Sequence, residues 1–333
     1  MKKWAKRIGV GLGVLVGLIL VLMTYFHLTW PPRFADTPYP NITSSSEPAV
    51  IARGNYIVHA LAHCSFCHMH DDDGLQSEDI SKLVPSGGHV WKLGPLGTLR
   101  SPNLTSDAET GLGKRTDAEI ARVITTGIRA DGHAAPMMLF IGPMHERDLT
   151  AVVSYLRSLP AVVNKVPASE IGFVGRTVIS LAMPGIVRPG VKSEPPPFAA
   201  EGEISLERGR YLAEGPAYCV GCHSDAAMRP EFELKRPYFQ GGGAHPDPYD
   251  ESMEVAAPNL TTHAAHGRLA TLTEEQFVAR FRQSRTVRGS PMPWESYKLM
   301  LESDLRSIYR YLASLAPIDH NPGPQYRAKG WKP

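Results

Sequence analysis

Cys64-Ser65-Phe66-Cys67-His68 and Cys219-Val220-Gly221-Cys222-His223 are the stretches that decide how this chain is read. Each is followed by a Pro-Met pair, Pro136-Met137 in one case and Pro291-Met292 in the other. Cys64 to Met137 is 73 positions, and so is Cys219 to Met292. Cys-x-x-Cys-His is the attachment pattern of haem c: two thiols form thioether links to the vinyl groups and the adjoining imidazole ligates iron. The two motifs use all four cysteines of the 333-residue chain, so no thiol remains for a structural disulfide. A thioredoxin-like pair needs a βαβ context that neither motif has. Zinc would need two histidines beside each cysteine pair. His63, His68 and His70 lie near the first motif, yet zinc gives no reason for a matched spacing to Met. Two covalently attached haem c groups are therefore expected.

The match between the halves runs well beyond these motifs, and repeats set architecture. Arg53-Gly54-Asn55-Tyr56 precedes the first motif and Arg208-Gly209-Arg210-Tyr211 the second, each Gly 10 positions before the first Cys. Pro102-Asn103-Leu104-Thr105 returns as Pro258-Asn259-Leu260-Thr261, and Gly87-Gly88 as the run from Gly241 to Gly243. Leu149, Val152, Val153, Leu156 and Leu159 form one helical stripe; Leu305, Ile308, Tyr309, Leu312 and Leu315 repeat it at the same offsets. Thr116 with Glu119 and Thr273 with Gln276 read as capping boxes opening earlier helices. Strand signals are sparse. The Gly/Pro-rich stretches 70–115 and 224–270 read as ordered loops around something large, and a haem supplies apolar surface that the side chains lack. The expected fold is mainly α.

Each half resembles a class I cytochrome c domain: an N-terminal helix, Cys-x-x-Cys-His, loops, then a Met and a C-terminal helix. With Arg-Gly-x-Tyr, Pro-Asn-Leu-Thr and Pro-Met, the pattern is similar to the multihaem cytochrome subunits of membrane-bound alcohol and aldehyde dehydrogenases. Those commonly carry three haems, where this chain has two motifs. The resemblance covers 48–160 and 201–317. It implies a close helix crossing at Gly54 and Gly209, against helices carrying Tyr155 and Tyr311. It also implies a backbone carbonyl, supplied by Pro102 or Pro258, on the Nδ1 of each proximal imidazole. His68 and His223 are the expected proximal ligands. Met137 and Met292 are the expected second axial ligands by spacing; Met138 is the alternative to Met137, since loops tolerate a one-residue slip. Met144 and Met300 read as core gap-fillers.

Four basic residues, Lys2, Lys3, Lys6 and Arg7, precede an uncharged run over 8–26. Its 19 residues are close to the roughly 20 a bilayer-spanning helix needs. Trp4, Tyr25 and Trp30 sit at its ends as interfacial anchors would. A cleaved signal peptide is the other reading, but no Ala-x-Ala-like site follows. Both readings export the rest of the chain, with the basic flank inside. The formal net charge of +2 hides two mildly acidic halves: 10 basic against 12 acidic side chains over 48–160, and 13 against 16 over 201–317. That distribution argues against a nucleic-acid partner.

The expected organisation is an anchor over 1–30, a cytochrome c domain over 48–160, a linker over 161–200, a second cytochrome c domain over 201–317 and an irregular tail over 318–333. The linker's apolar stretch 171–187, broken by Arg176, Met183-Pro184 and Gly185, is too short to span a membrane. It reads as a strap between the haem domains, or secondarily as a segment resting on a membrane or a partner subunit. His/Met ligation fills both axial positions, so the expected role is outer-sphere electron transfer without catalysis. The expectation is a membrane-tethered dihaem cytochrome c on the periplasmic side of a bacterial inner membrane. It would take electrons from a dehydrogenase or quinol-oxidising complex and pass them to a soluble cytochrome or oxidase. A dihaem peroxidase-like enzyme and a haem-based sensor are the alternatives; both need an openable iron.

Overall fold

The structure, a computed structural model, describes residues 2–69, 80–135, 138, 141–182, 194–224, 237–283 and 285–331. Helix α1 (Lys2–Leu28) contains one stretch, Lys6–Leu28, long and apolar enough to cross a membrane by length and composition, and none of its most apolar window is buried against the rest of the protein. Helix α2 (Pro48–Tyr56) begins on a proline, which costs nothing at a first turn whose N–H groups lack helical partners anyway. One π-helical turn, Ile57–Leu61, carries α2 toward the short α3 (Cys64–Cys67). Helices α4 (Asp117–Thr126), α5 (Glu146–Ser158) and α6 (Phe173–Ala182) follow. The second repeat supplies α7 (Leu206–Glu214), α8 (Cys219–His223), α9 (Glu274–Arg282), α10 (Trp294–Tyr297) and α11 (Glu302–Ala313). Both capping boxes form. Thr116 accepts from the Glu119 N–H while Glu119 accepts from that of Thr116, and Thr273 and Gln276 do the same at α9.

The core is built on two helix crossings, α2 on α5 and α7 on α11. A Cβ on Gly54 would lie 1.9 Å from the Ala151 carbonyl oxygen and 2.6 Å from the Tyr155 Cβ. A Cβ on Gly209 would lie 2.0 Å from the Ser307 carbonyl oxygen and 2.7 Å from the Tyr311 Cβ. Only a residue without a side chain lets the helix backbones approach this closely. The apolar stripes fill the space around the crossings. Leu149, Val152, Val153, Leu156 and Leu159 are buried, as are Leu305, Ile308 and Leu312. Tyr309 and Leu315 are partly buried against the same cluster, which runs without a break through both repeats.

The loops contain more strand than sequence alone indicates. β1 (Val90–Lys92), β2 (Gly97–Arg100) and β3 (Glu170–Ile171) form one antiparallel sheet. β4 (Ala244–Asp247), β5 (Asp250–Ala256) and β6 (Tyr326–Ala328) form the other. Each sheet is a loop hairpin completed by chain that has already left the C-terminal helix of its repeat. Such strands are short and half-exposed and depend on long-range pairing, so they carry no alternating pattern. The tail, expected to be irregular, thus contributes β6. Of the linker's apolar stretch, α6 packs on the first sheet and on α1, and 183–187 lie outside the described residues; farther along the linker, Phe198 reaches the junction of the repeats, 5.2 Å from the His145 ring and 5.7 Å from that of Tyr211.

Gly54→Ala and Gly209→Ala should each lower stability by at least about 2 kcal/mol, because the added methyl meets backbone that cannot step aside. Gly172→Ala, whose Cβ would have nothing closer than 3.9 Å, is the control and should stay within about 0.5 kcal/mol. Guanidinium unfolding followed by far-ultraviolet circular dichroism measures both; equal effects at all three positions would contradict the close crossing.

Candidate functional site

Both Cys-x-x-Cys-His segments fold as one tight helical turn entered from an unusual residue. His63 and Tyr218, immediately before Cys64 and Cys219, have positive φ of 43° and 47°. This left-handed residue interrupts the chain between the preceding helical segment and α3 or α8. None of the four cysteines is in a disulfide. Burial pushes the Cys67 and Cys219 thiols up to about 12 and raises that of Cys222 as well.

His68 and His223 are each 9% exposed. The Nδ1 of His68 lies 2.9 Å from the Pro102 carbonyl oxygen, and that of His223 lies 3.0 Å from the Pro258 carbonyl oxygen. A carbonyl only accepts, so Nδ1 carries the proton and Nε2 keeps its lone pair. Burial, the largest influence on either ring, lowers both imidazoles below their ordinary range and holds them neutral. A buried neutral imidazole with Nδ1 engaged is the ligand form for a metal at Nε2. With two thiols in the four residues before it in each repeat, this imidazole fits a covalently attached haem.

The carbonyls that orient the imidazoles are themselves held by a duplicated clasp. Gly87 donates its N–H to the His68 carbonyl at 2.9 Å, and Gly241 to that of His223 at 2.8 Å. Both glycines have positive φ, +78° and +77°, and a Cβ on either would come within 2.5 Å of the Pro-Asn backbone. Asn103 is buried and donates from Nδ2 to the Val162 carbonyl at 2.7 Å, while its Oδ1 accepts from the Thr105 N–H at 2.9 Å. Asn259 repeats this with the Ile318 carbonyl at 2.9 Å and the Thr261 N–H at 2.9 Å. Pro-Asn-Leu-Thr is thus a fixture tying the proximal carbonyl to the chain that follows the C-terminal helix.

Of the candidate second ligands, Met292 lies half-buried against the apolar cluster that also contacts Cys219. Met137 lies outside the described residues; Met138 is half-buried against the same apolar cluster. Met144 and Met300 are buried core residues.

Sequence reading missed the junction between the repeats. Asp148 and Asp304 are fully buried at the start of α5 and α11. Within each repeat an arginine binds the carboxylate with two nitrogens: Arg53 Nε and Nη2 on Asp148 at 3.1 and 2.9 Å, Arg208 Nε and Nη2 on Asp304 at 2.8 and 2.9 Å. The tyrosine of the same Arg-Gly-x-Tyr crosses to the other repeat. Tyr56 donates to Asp304 at 2.8 Å and accepts the Leu301 N–H at 2.9 Å. Tyr211 donates to Asp148 at 2.7 Å and accepts the His145 N–H at 3.3 Å. Burial first, then the facing carboxylate, raises both phenols well above their usual range, so they remain donors. Each motif therefore clamps its own C-terminal helix and caps its counterpart's. Nearby, the His63 ring packs edge-on to Tyr297, 5.7 Å between centroids, so the first attachment motif touches α10 of the second repeat. Gly142 meets Gly215 so closely that its Cβ would lie 1.9 Å from the Gly215 carbonyl oxygen. The signal available in the sequence was an Asp immediately before Leu149 and Leu305, interrupting neither apolar stripe yet shared by both.

No family model matches the chain. It is 28% identical over 306 residues to one subunit of the nicotinate dehydrogenase of Pseudomonas putida, covering 86% of this chain and 23% of that protein. It is 27% identical over 299 residues to the cytochrome c subunit of the quinone alcohol dehydrogenase of Gluconacetobacter polyoxogenes, covering 84% of this chain and 59% of that subunit. It is 26% identical over 317 residues to a "Diheme cytochrome c-type" protein of Cereibacter sphaeroides, covering 91% of this chain and 98% of that one. The chain thus spans less than two thirds of the length of the first relatives it matches. Its homologues are cytochrome c subunits of alcohol, gluconate and fructose dehydrogenases and a dihaem cytochrome c. They support haem c and a role in electron transfer.

Tyr56→Phe and Tyr211→Phe each remove one donor from a buried carboxylate and should cost about 1.5–3 kcal/mol of unfolding free energy. Chemical denaturation checks this; no loss in either variant would mean that the carboxylates are satisfied by the arginines alone.

Proposed function

We propose that this chain is a membrane-tethered dihaem cytochrome c that relays electrons from a periplasmic dehydrogenase, or a quinol-oxidising complex, to a downstream cytochrome or oxidase. The observation that carries the reading is the duplication of the whole proximal arrangement: two thiols, a buried imidazole, and a proline carbonyl fixing Nδ1. On this reading Cys64, Cys67, Cys219 and Cys222 would hold the haems, and His68, His223, Met137 and Met292 would ligate their iron. Haem c bound in this way supplies one-electron chemistry at iron and offers no open site to a substrate.

The chain's own residues keep reorganisation small. Each Pro-Asn-Leu-Thr clasp holds its imidazole in one tautomer and one orientation. The shared apolar cluster excludes water, and the Tyr–Asp contacts fix one repeat against the other. A fixed separation between two redox centres is what a relay needs. The domain partition follows the repeats: 48–160 and 201–317 each carry one haem, with 161–200 and 318–333 completing their sheets. α1 tethers the chain to the inner membrane with the haem-bearing repeats on the periplasmic side. The dehydrogenase subunits among the relatives supply the partner class: a catalytic subunit that oxidises a small substrate and needs an electron exit.

Two experiments follow. Met292→Ala should open one iron, so the reduced protein takes up CO where the unsubstituted protein does not; Met137→Ala and Met138→Ala, compared side by side, should show opening only with Met137. CO uptake by the unsubstituted protein would favour a peroxidase-like or sensor role. Asn103→Ala and Asn259→Ala should each shift the reduction potential of one haem by loosening its proximal carbonyl, read by optical redox titration. Unchanged potentials in both would leave the clasp a purely structural turn.

A further inference from the structure

We propose that α6 is a second membrane contact, lying along the lipid surface beside the end of α1, and that it sets the orientation of the haem-bearing repeats over the bilayer. The inference rests on the reading of α1 as a membrane anchor. One side of α6 is fully accounted for. Gly175 and Ile179 are buried, and a Cβ on Gly175 would lie 2.1 Å from the Leu96 carbonyl oxygen, so the helix sits directly on the Gly94–Leu96 turn of the first sheet. Ile179 and Ile171 form a small cluster there with Trp30, Leu93 and Leu99.

The opposite side should be polar if water were its neighbour. It is not. At roughly 100° per residue, Phe173, Val174, Val178 and Leu181 share the outward face. They are 41%, 51%, 37% and 55% exposed. Thr177, on the same face, turns its hydroxyl back to the Phe173 carbonyl at 3.3 Å. The helix holds no acidic residue, and its one basic residue is occupied elsewhere: Arg176 Nη1 lies 3.0 Å from His27 Nδ1 and 3.4 Å from the His27 carbonyl oxygen. A surface helix apolar on both sides needs a second apolar neighbour.

The structure indicates which neighbour. α6 packs against α1, with the Phe173 ring 5.3 Å from that of His27. His27 lies at the last turn of the apolar stretch Lys6–Leu28, where an anchor helix leaves the hydrocarbon for the headgroup region. A helix fixed to that level, with a continuous apolar face and one arginine at the anchor's end, lies in the interface plane with its apolar face at the headgroup–acyl boundary. A lipid surface is therefore favoured over a partner protein.

The test uses the full haem-loaded chain in nanodiscs of mixed phosphatidylcholine and phosphatidylglycerol. Nitroxide labels are placed singly by Val174→Cys, Val178→Cys and Leu181→Cys, with Leu20→Cys in α1 and Val163→Cys on the exposed surface as references. Collision rates with oxygen, which partitions into lipid, and with a water-soluble nickel chelate are compared by electron paramagnetic resonance. The expected result is an oxygen-to-nickel ratio several-fold higher at 174, 178 and 181 than at 163, approaching that at 20. A high ratio at 20 with water-like values on α6 overturns the proposal and leaves the anchor standing. Water-like values at 20 as well overturn the anchor reading itself. Labels on α6 reached by neither reagent mean that protein covers the face, which also overturns a lipid contact.

Discussion

Two buried carboxylates, Asp148 and Asp304, organise this molecule. A carboxylate taken out of water is costly unless its lone pairs are filled, and leaving one unpaired costs several kcal/mol. Each is filled from two directions, by an arginine of its own repeat and a tyrosine of the other. The first contact fixes the register of the helix crossing that Gly54 or Gly209 makes possible. The second fixes one repeat against the other. The same four-residue motif therefore builds the unit and joins the units, which explains why the apolar cluster runs through both.

Much of this was legible in the sequence. The attachment motifs announce themselves by spacing, the C-terminal helices by an apolar stripe, and α4 and α9 by capping boxes that form as read. The glycines at the crossings and the proline carbonyls on the imidazoles were implied by the resemblance to cytochrome c, and the geometry places them there. What was not legible depends on partners distant in sequence. Arg-Gly-x-Tyr is visible as a repeat, but nothing local says that Tyr56 will meet Asp304, 248 positions away. β3 and β6 are too short for any pattern and exist because a hairpin edge waits for them. α6 was seen as an interrupted apolar run, without the sheet beneath it or α1 beside it.

The repeats also show how duplication permits divergence around a fixed centre. His59 is fully buried between Tyr155 and Ser65, with 2.7 Å contacts to both hydroxyls. The equivalent place in the second repeat holds Glu214, paired with Tyr311. Each repeat gives the tyrosine of its C-terminal helix a polar partner beside the crossing, with a buried imidazole in one and a half-buried carboxylate in the other. The proximal imidazole, its proline carbonyl, the glycine beneath and the asparagine clasp do not vary between the repeats. Variation in the scaffold with constancy at the imidazole fits two centres doing the same work.

The most direct measurement is an optical redox titration of the detergent-extracted, unsubstituted protein, with intact-protein mass spectrometry on the same sample. Two covalent haems per chain, two low-spin reduction waves and the weak far-red band of a Met-ligated oxidised iron are the expected result. One haem per chain, or a high-spin component in the oxidised protein, would contradict the account of two closed electron-transfer centres.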